Sequence, residues 1–169
     1  MDSTLPYRPN VGIALFNSAG LVFAGMALNE GPEQVVAGFE WQMPQGGIDP
    51  NEDLEIAARR ELFEETGIGE VSFLAATETW WAYDFPPYAG PPHSLSGFRG
   101  QTQRWVALRF EGQESAINVT EPASGLRPEF SAWAWVPLGS LPALVMPHKR
   151  ATYTRVAEAF RRFAAEGSS

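Results

Sequence analysis

The stretch from Gly46 to Ile68 constrains this chain more than any other. Asp49-Pro50-Asn51-Glu52 supplies a candidate N-cap, a proline at the first helical position and a glutamate at the third. A helix is expected from there to about Thr66, with Gly67 placed to end it. At about 100° per residue, Leu54, Ala57, Ala58, Glu61 and Glu65 share one face, Glu64 lies at its edge and Phe63 opposite. The carboxylates therefore continue the apolar stripe instead of facing water.

Acidic runs on helices are ordinarily solvated surface. Here two carboxylates point toward the protein body with a third beside them, an arrangement that costs repulsion and desolvation unless a cation or a base compensates. A divalent metal is the economical answer. The chain has no cysteine and only two histidines, His93 and His148, so the ligands must be oxygens. Magnesium suits such a donor set, and manganese can substitute.

The other segments read as one α/β domain. With 169 residues and 44% hydrophobic content, the chain has material for one core and no room for a second domain. Apolar runs Val11 to Phe16 and Leu21 to Leu28, separated by Asn17-Ser18-Ala19-Gly20, predict a β-hairpin. Further strands are expected at Val71 to Ala76, Arg104 to Phe110 and Ala132 to Val136. Loops are expected at Asn29 to Gly38, Asp84 to Gly100 and Thr120 to Pro128. A last helix is expected over Arg150 to Ala165, with Gly167-Ser168-Ser169 as a frayed end. Neither a leader pattern at Met1 to Pro6 nor a membrane-length apolar run is present, and the expected location is cytoplasmic. A formal charge of −8 argues against a broad nucleic-acid surface such as a DNA footprint. A small anionic substrate, or one end of a polymer, is compatible with it.

The segment Gly46 to Ile68 also resembles a known family. It matches every defined position of the Nudix box, G-x5-E-x7-R-E-U-x-E-E-x-G-U, where U is a bulky aliphatic residue. The resemblance implies an α/β/α sandwich with a mixed sheet and a loop–helix–loop metal site. It also implies hydrolysis of a nucleoside diphosphate linked to another group. Carried over residue by residue, it assigns Glu61, Glu64, Glu65 and the Gly46 carbonyl to magnesium, Arg60 to orienting the glutamates, and Glu64 or Glu65 to deprotonating the attacking water.

Flanking stretches narrow the likeness. Tyr7-Arg8-Pro9-Asn10-Val11-Gly12, Trp41-Gln42-Met43-Pro44-Gln45-Gly46-Gly47 and Gly100-Gln101-Thr102-Gln103-Arg104-Trp105 resemble bacterial RNA pyrophosphohydrolases and plant-type diadenosine tetraphosphate hydrolases. Pro128-Glu129-Phe130 followed by Trp133-Ala134-Trp135 is similar to the late motif of that subfamily, which makes Glu129 a fourth carboxylate for the metal or a base. The same resemblance places Arg8, Gln45, Tyr83, Gln103, His148 and Lys149 in substrate binding. His148 stands where those enzymes carry an aromatic residue. After Leu21-Val22-Phe23-Ala24 this chain has Gly25-Met26-Ala27 in place of one or two arginines. With the acidic charge, that departure shifts the expected substrate toward dinucleoside polyphosphates such as diadenosine tetraphosphate. Removal of pyrophosphate from triphosphorylated RNA 5′ ends stands as the alternative, ahead of sanitising oxidised nucleoside triphosphates. A silent nucleotide-binding domain is a minor reading, because it would predict a broken box.

Overall fold

Strand β1 (Tyr7–Phe16) organises the molecule, because its side chains divide between two cores. Val11, Ile13 and Leu15 point to one face of the sheet, and Ala14 and Phe16 to the other. This period-2 division is what a strand buried on both faces needs. The computed structural model describes residues 4–165; the expected frayed end at 167–169 lies outside them.

In chain order the elements are β2 (Val22–Ala27), β3 (Trp41–Gln42), β4 (Gln45–Gly47), α1 (Leu54–Thr66), β5 (Val71–Ala76), β6 (Trp81–Asp84), β7 (Gly100–Phe110), β8 (Phe130–Val136), α2 (Leu141–Leu144) and α3 (Arg150–Ala159). One mixed sheet runs β3-β2-β1-β7-β5, with β4 also beside β1, β6 beside β7 and β8 beside β2. The β1 and β7 pairing is parallel over the full length of β1, from Tyr7 opposite Gly100 to Phe16 opposite Arg109. Helix α1 covers the face that holds Val11, Val106 and Leu108. The α2 and α3 helices cover the face that holds Met43, Trp105 and Ala107. The result is the expected α/β/α sandwich.

Three expectations need correction. The hairpin exists, and Asn17 closes its turn with its side chain and backbone, but the β1 and β2 register is the single pair Phe16 and Val22. On that edge β4 pairs with Asn10 to Gly12 of β1. Helix α1 starts at Leu54, later than expected, because Asn51 has φ 63° and bends the chain into a turn. Asp53 is the actual cap, accepting from the Ile56 N–H at 3.2 Å. The last helix ends at Ala159 and continues only as a 3-10 turn over Arg161–Phe163. Strand β6 and helix α2 were not anticipated, since four residues are too few for periodicity to reveal.

Candidate active site

Helix α1 lays Ala57, Ala58, Leu62 and Glu65 into the protein, while Phe63 is exposed. Gly67, at φ 76°, takes the left-handed conformation that ends the helix and donates its N–H to the Phe63 carbonyl. Burial of this face fixes the carboxylates that share it. Glu65 is 8% exposed, and its Oε2 has no hydrogen-bond partner. Burial pushes its carboxyl well above the usual range, and the charges of Glu129, Glu61 and Glu64 push it further. Glu61 is raised chiefly by burial. Glu129, on the approach to β8, is pushed up to about 7 by burial and by the charges of Glu30 and Glu61.

These carboxylates come from helix α1 and from the residue before β8. Gly46 of β4 lies directly against Glu61: a Cβ there would sit 2.0 Å from the Glu61 carboxyl carbon. Only glycine permits that approach. Arg60 ties the cluster together. It grips Glu52 with two nitrogens at 2.7 and 2.8 Å, reaches Glu61 at 2.9 Å and Glu64 at 3.3 Å, and donates to the Gly47 carbonyl at 2.9 Å. Among the described residues no three acidic or histidine side chains form a closed ligand set. Arg60 pairs with both Glu61 and Glu64, and Glu64 stays partly exposed, with 40% of its side chain accessible.

A cleft of about 150 Å³ runs from Glu61, Glu65 and Glu129 past Arg8 and Gln45 to Lys149. The Arg8 guanidinium lies close over Gly47 and donates to Gln101 Oε1 at 3.2 Å. Beneath it runs a ladder of buried amides: Asn10 donates to Gln101 at 2.7 Å, and Gln103 donates to Asn10 and to Gln45, each at 2.8 Å. At the far end, Tyr83, His148 and Lys149 gather around Glu33. The sequence thus pointed to residues at both ends of one cleft, but it missed Glu33, Asn10 and Gln101. Gln101 carried a usable signal, because it precedes Gln103 by two residues on one strand and so shares its face. Glu33 carried none, since it sits in an irregular connection.

Residues 6–156 match the NUDIX domain family. The chain belongs to the Nudix family. RNA pyrophosphohydrolases are close in sequence to this Nudix hydrolase: that of Azorhizobium caulinodans is 50% identical over 161 residues, covering 95% of each chain. That of Nitrobacter winogradskyi is 45% identical over 160 residues, covering 95% of this chain and 93% of the other. A solved diadenosine tetraphosphate (Ap4A) hydrolase from C. elegans superposes with TM-score 0.55 at 14% identity, over 92% of this chain and 98% of that one, a likeness of fold alone. The Nudix chain is a pyrophosphohydrolase, and as a catalyst it is not the silent domain of the minor reading. No described helix is long and apolar enough to cross a membrane.

Proposed function

We propose that this Nudix hydrolase uses magnesium to remove pyrophosphate from 5′-triphosphorylated RNA in the cytoplasm. The observation that carries the substrate is 45–50% identity across nearly the whole chain to proteins named RNA pyrophosphohydrolase. An all-oxygen donor set supports magnesium over softer metals. Glu61, Glu64, Glu65, Glu129 and the Gly46 carbonyl would hold the ion. The orphaned Glu65 oxygen, and the burial and mutual repulsion that raise Glu61, Glu65 and Glu129, are what a cation there would relieve. Once bound, the ion supplies neutralisation of phosphate oxygens and a more acidic water.

The protein's own side chains do the rest. Arg60 holds Glu61 and Glu64 in register, and Gly46 keeps the floor of the site open. Water attacks phosphorus, its proton passes to Glu64 or Glu65, and the phosphoanhydride bond to the leaving group breaks. Arg8 and Gln45 stand along the cleft where a phosphate chain would be oriented, and buried Gln103 holds Gln45 from behind.

One observation favours a second reading, the hydrolysis of dinucleoside polyphosphates. Arg8 and Lys149 are the only lysine or arginine side chains lining the cleft among the described residues, and Lys149 is engaged by Glu33. That is a small cationic footprint for a polymer. Wild-type protein and Glu64→Gln are to be incubated with magnesium and, in parallel, triphosphorylated RNA and diadenosine tetraphosphate. Faster, Glu64-dependent release of pyrophosphate from RNA supports the first reading; faster cleavage of the dinucleotide replaces it with the second; cleavage of neither sinks both.

A further inference from the structure

Two irregular segments meet at the cleft, each tied down at its own end. One is the loop 85–99 between β6 and β7. Its stem is closed where Arg99 donates to Asp84 Oδ2 at 2.8 Å and the Phe85 N–H donates to the Arg99 carbonyl at 2.9 Å. Pro86, Pro87, Pro91 and Pro92 stiffen it, and Phe85 and Leu95 are buried against Tyr83. The other is the connection between β2 and β3. Its turn is closed by reciprocal backbone bonds between Glu30 and Glu33 at 2.9 and 3.0 Å, and Asn29 Oδ1 accepts from the Val35 N–H at 2.8 Å. Glu33 is held in turn by the Tyr83 hydroxyl at 2.6 Å and the Gln101 amide at 3.0 Å.

His93 joins the two. Its Nδ1 accepts the Leu95 N–H at 3.1 Å, so the ring proton sits on Nε2, which donates to Glu30 Oε1 at 2.9 Å across 63 residues of sequence. The His93 N–H donates to Ser96 Oγ at 3.1 Å, which fixes the backbone that carries the ring. On the far side Gly31, at φ 54°, lies against the same ring: a Cβ there would sit 2.4 Å from His93 Cγ. A residue that served only to cap the turn at Leu95 would need one acceptor. The second bond and the bare glycine are directed at the other segment. Glu30, His93, Ser94 and Leu95 all line the cleft.

We propose that His93 is a positioning residue for the reaction: it pins loop 85–99 to the Glu30 turn, so that the two segments form one fixed wall of the cleft. The substrate then meets a preformed surface instead of a closing lid. His93 acts through Glu30, not on the reacting atoms. Its kinetic consequence rests on the reading that the substrate occupies this cleft.

Two conservative substitutions separate the two bonds of the ring. His93→Gln puts an amide N–H where Nε2 stands and keeps the bond to Glu30; His93→Asn puts an oxygen where Nδ1 stands and keeps only the bond from Leu95. Both are assayed with magnesium on triphosphorylated RNA and on diadenosine tetraphosphate. His93→Asn is expected to raise KM about tenfold with kcat within about twofold of wild type, because a wall formed only part of the time lowers affinity by that fraction. His93→Gln is expected to restore most of the loss. Amide hydrogen exchange needs no turnover: in His93→Asn it should quicken across both 30–35 and 85–98, and in His93→Gln across neither. In wild-type protein, ring nitrogen chemical shifts should place the His93 proton on Nε2, a readout that depends on no variant folding. Asn serving as well as Gln, exchange altered in 85–98 alone, a fall in kcat with KM unmoved, or a proton on Nδ1 would each overturn the proposal. If neither substrate is cleaved but exchange and ring proton come out as stated, the substrate reading fails and the clasp stands; if RNA is cleaved and His93→Asn behaves as wild type, the reverse holds.

Discussion

The two ends of the cleft treat buried charge in opposite ways. At the α1 end, Glu61, Glu65 and Glu129 crowd together, their carboxyls are raised, and one oxygen of Glu65 has no partner. At the α3 end, Glu33 is also taken from water, yet its carboxyl stays well below the usual range. Burial raises it, but the Lys149 charge beside it and contacts from His148 and Tyr83 outweigh that. Burial therefore gives opposite outcomes at the two ends, and the difference lies in the partners. One end is prepared for a cation that must come from outside, while the other holds an anion of its own.

The contrast can be broken most strongly at Glu65. Glu65→Gln is expected to lower turnover by about 10²–10⁴-fold while raising the melting temperature of metal-free protein, because it removes a buried carboxyl with one unpartnered oxygen that its neighbours repel when ionised. A lower melting temperature would show that Glu65 is already compensated. Neutralising a charge at the opposite end should do the reverse. Lys149→Met leaves Glu33 without its counter-ion and is expected to cost about 3–5 kcal/mol in denaturant unfolding; an unchanged midpoint would mean that Tyr83 and Gln101 hold Glu33 unaided.

Gly46→Ala sharpens the comparison at the carboxylate end alone. The added methyl meets the side-chain end of Glu61, not backbone, so the fold should survive with little change in melting temperature. Activity is expected to fall about 10²-fold as the carboxylate is pushed aside, the cost of a displacement near 1 Å. Loss of folding would instead make Gly46 a structural requirement.

The smallest effect concerns Glu52, the paired acid beside the unpaired ones. Its carboxyl is lowered to about 2, chiefly by hydrogen bonds from Arg60. A lowered acid stabilises the fold above its unfolded value, and that contribution is lost as pH falls toward the folded value. Glu52→Gln should therefore be less stable than wild type by about 1–2 kcal/mol near neutral pH. The gap should narrow between pH 4.5 and about 2. A gap constant with pH would mean that the ion pair with Arg60 contributes nothing.

Much of the carboxylate end was legible before any coordinates, because its information is local. Helix α1 repeats every few residues, so Ala57, Glu61 and Glu65 declare a shared face by spacing alone. Even there the start was misread: Asp49 and Pro50 carry the right residue types for a cap, but Asn51 turns the chain before the helix begins at Leu54. The α3 end was only partly legible. Tyr83, His148 and Lys149 could be picked out individually, but nothing in the irregular stretch from Asn29 to Gly38 indicated that Glu33 joins them.

What the sequence by itself determined is the chemistry of the chain: oxygen ligands only, three glutamates and an arginine on one helix, and a glycine pair in front of it. Spacing within a helix turn or a strand encodes such groupings, since neighbours a few residues apart have little choice of position. The tertiary structure alone decided which distant segments meet. It paired β1 in parallel with a strand that begins at Gly100, laid Arg8 against Gly47, and set Glu33 on Lys149. Those contacts depend on how the sheet is ordered and where an irregular loop lands, and no periodicity in the chain records either.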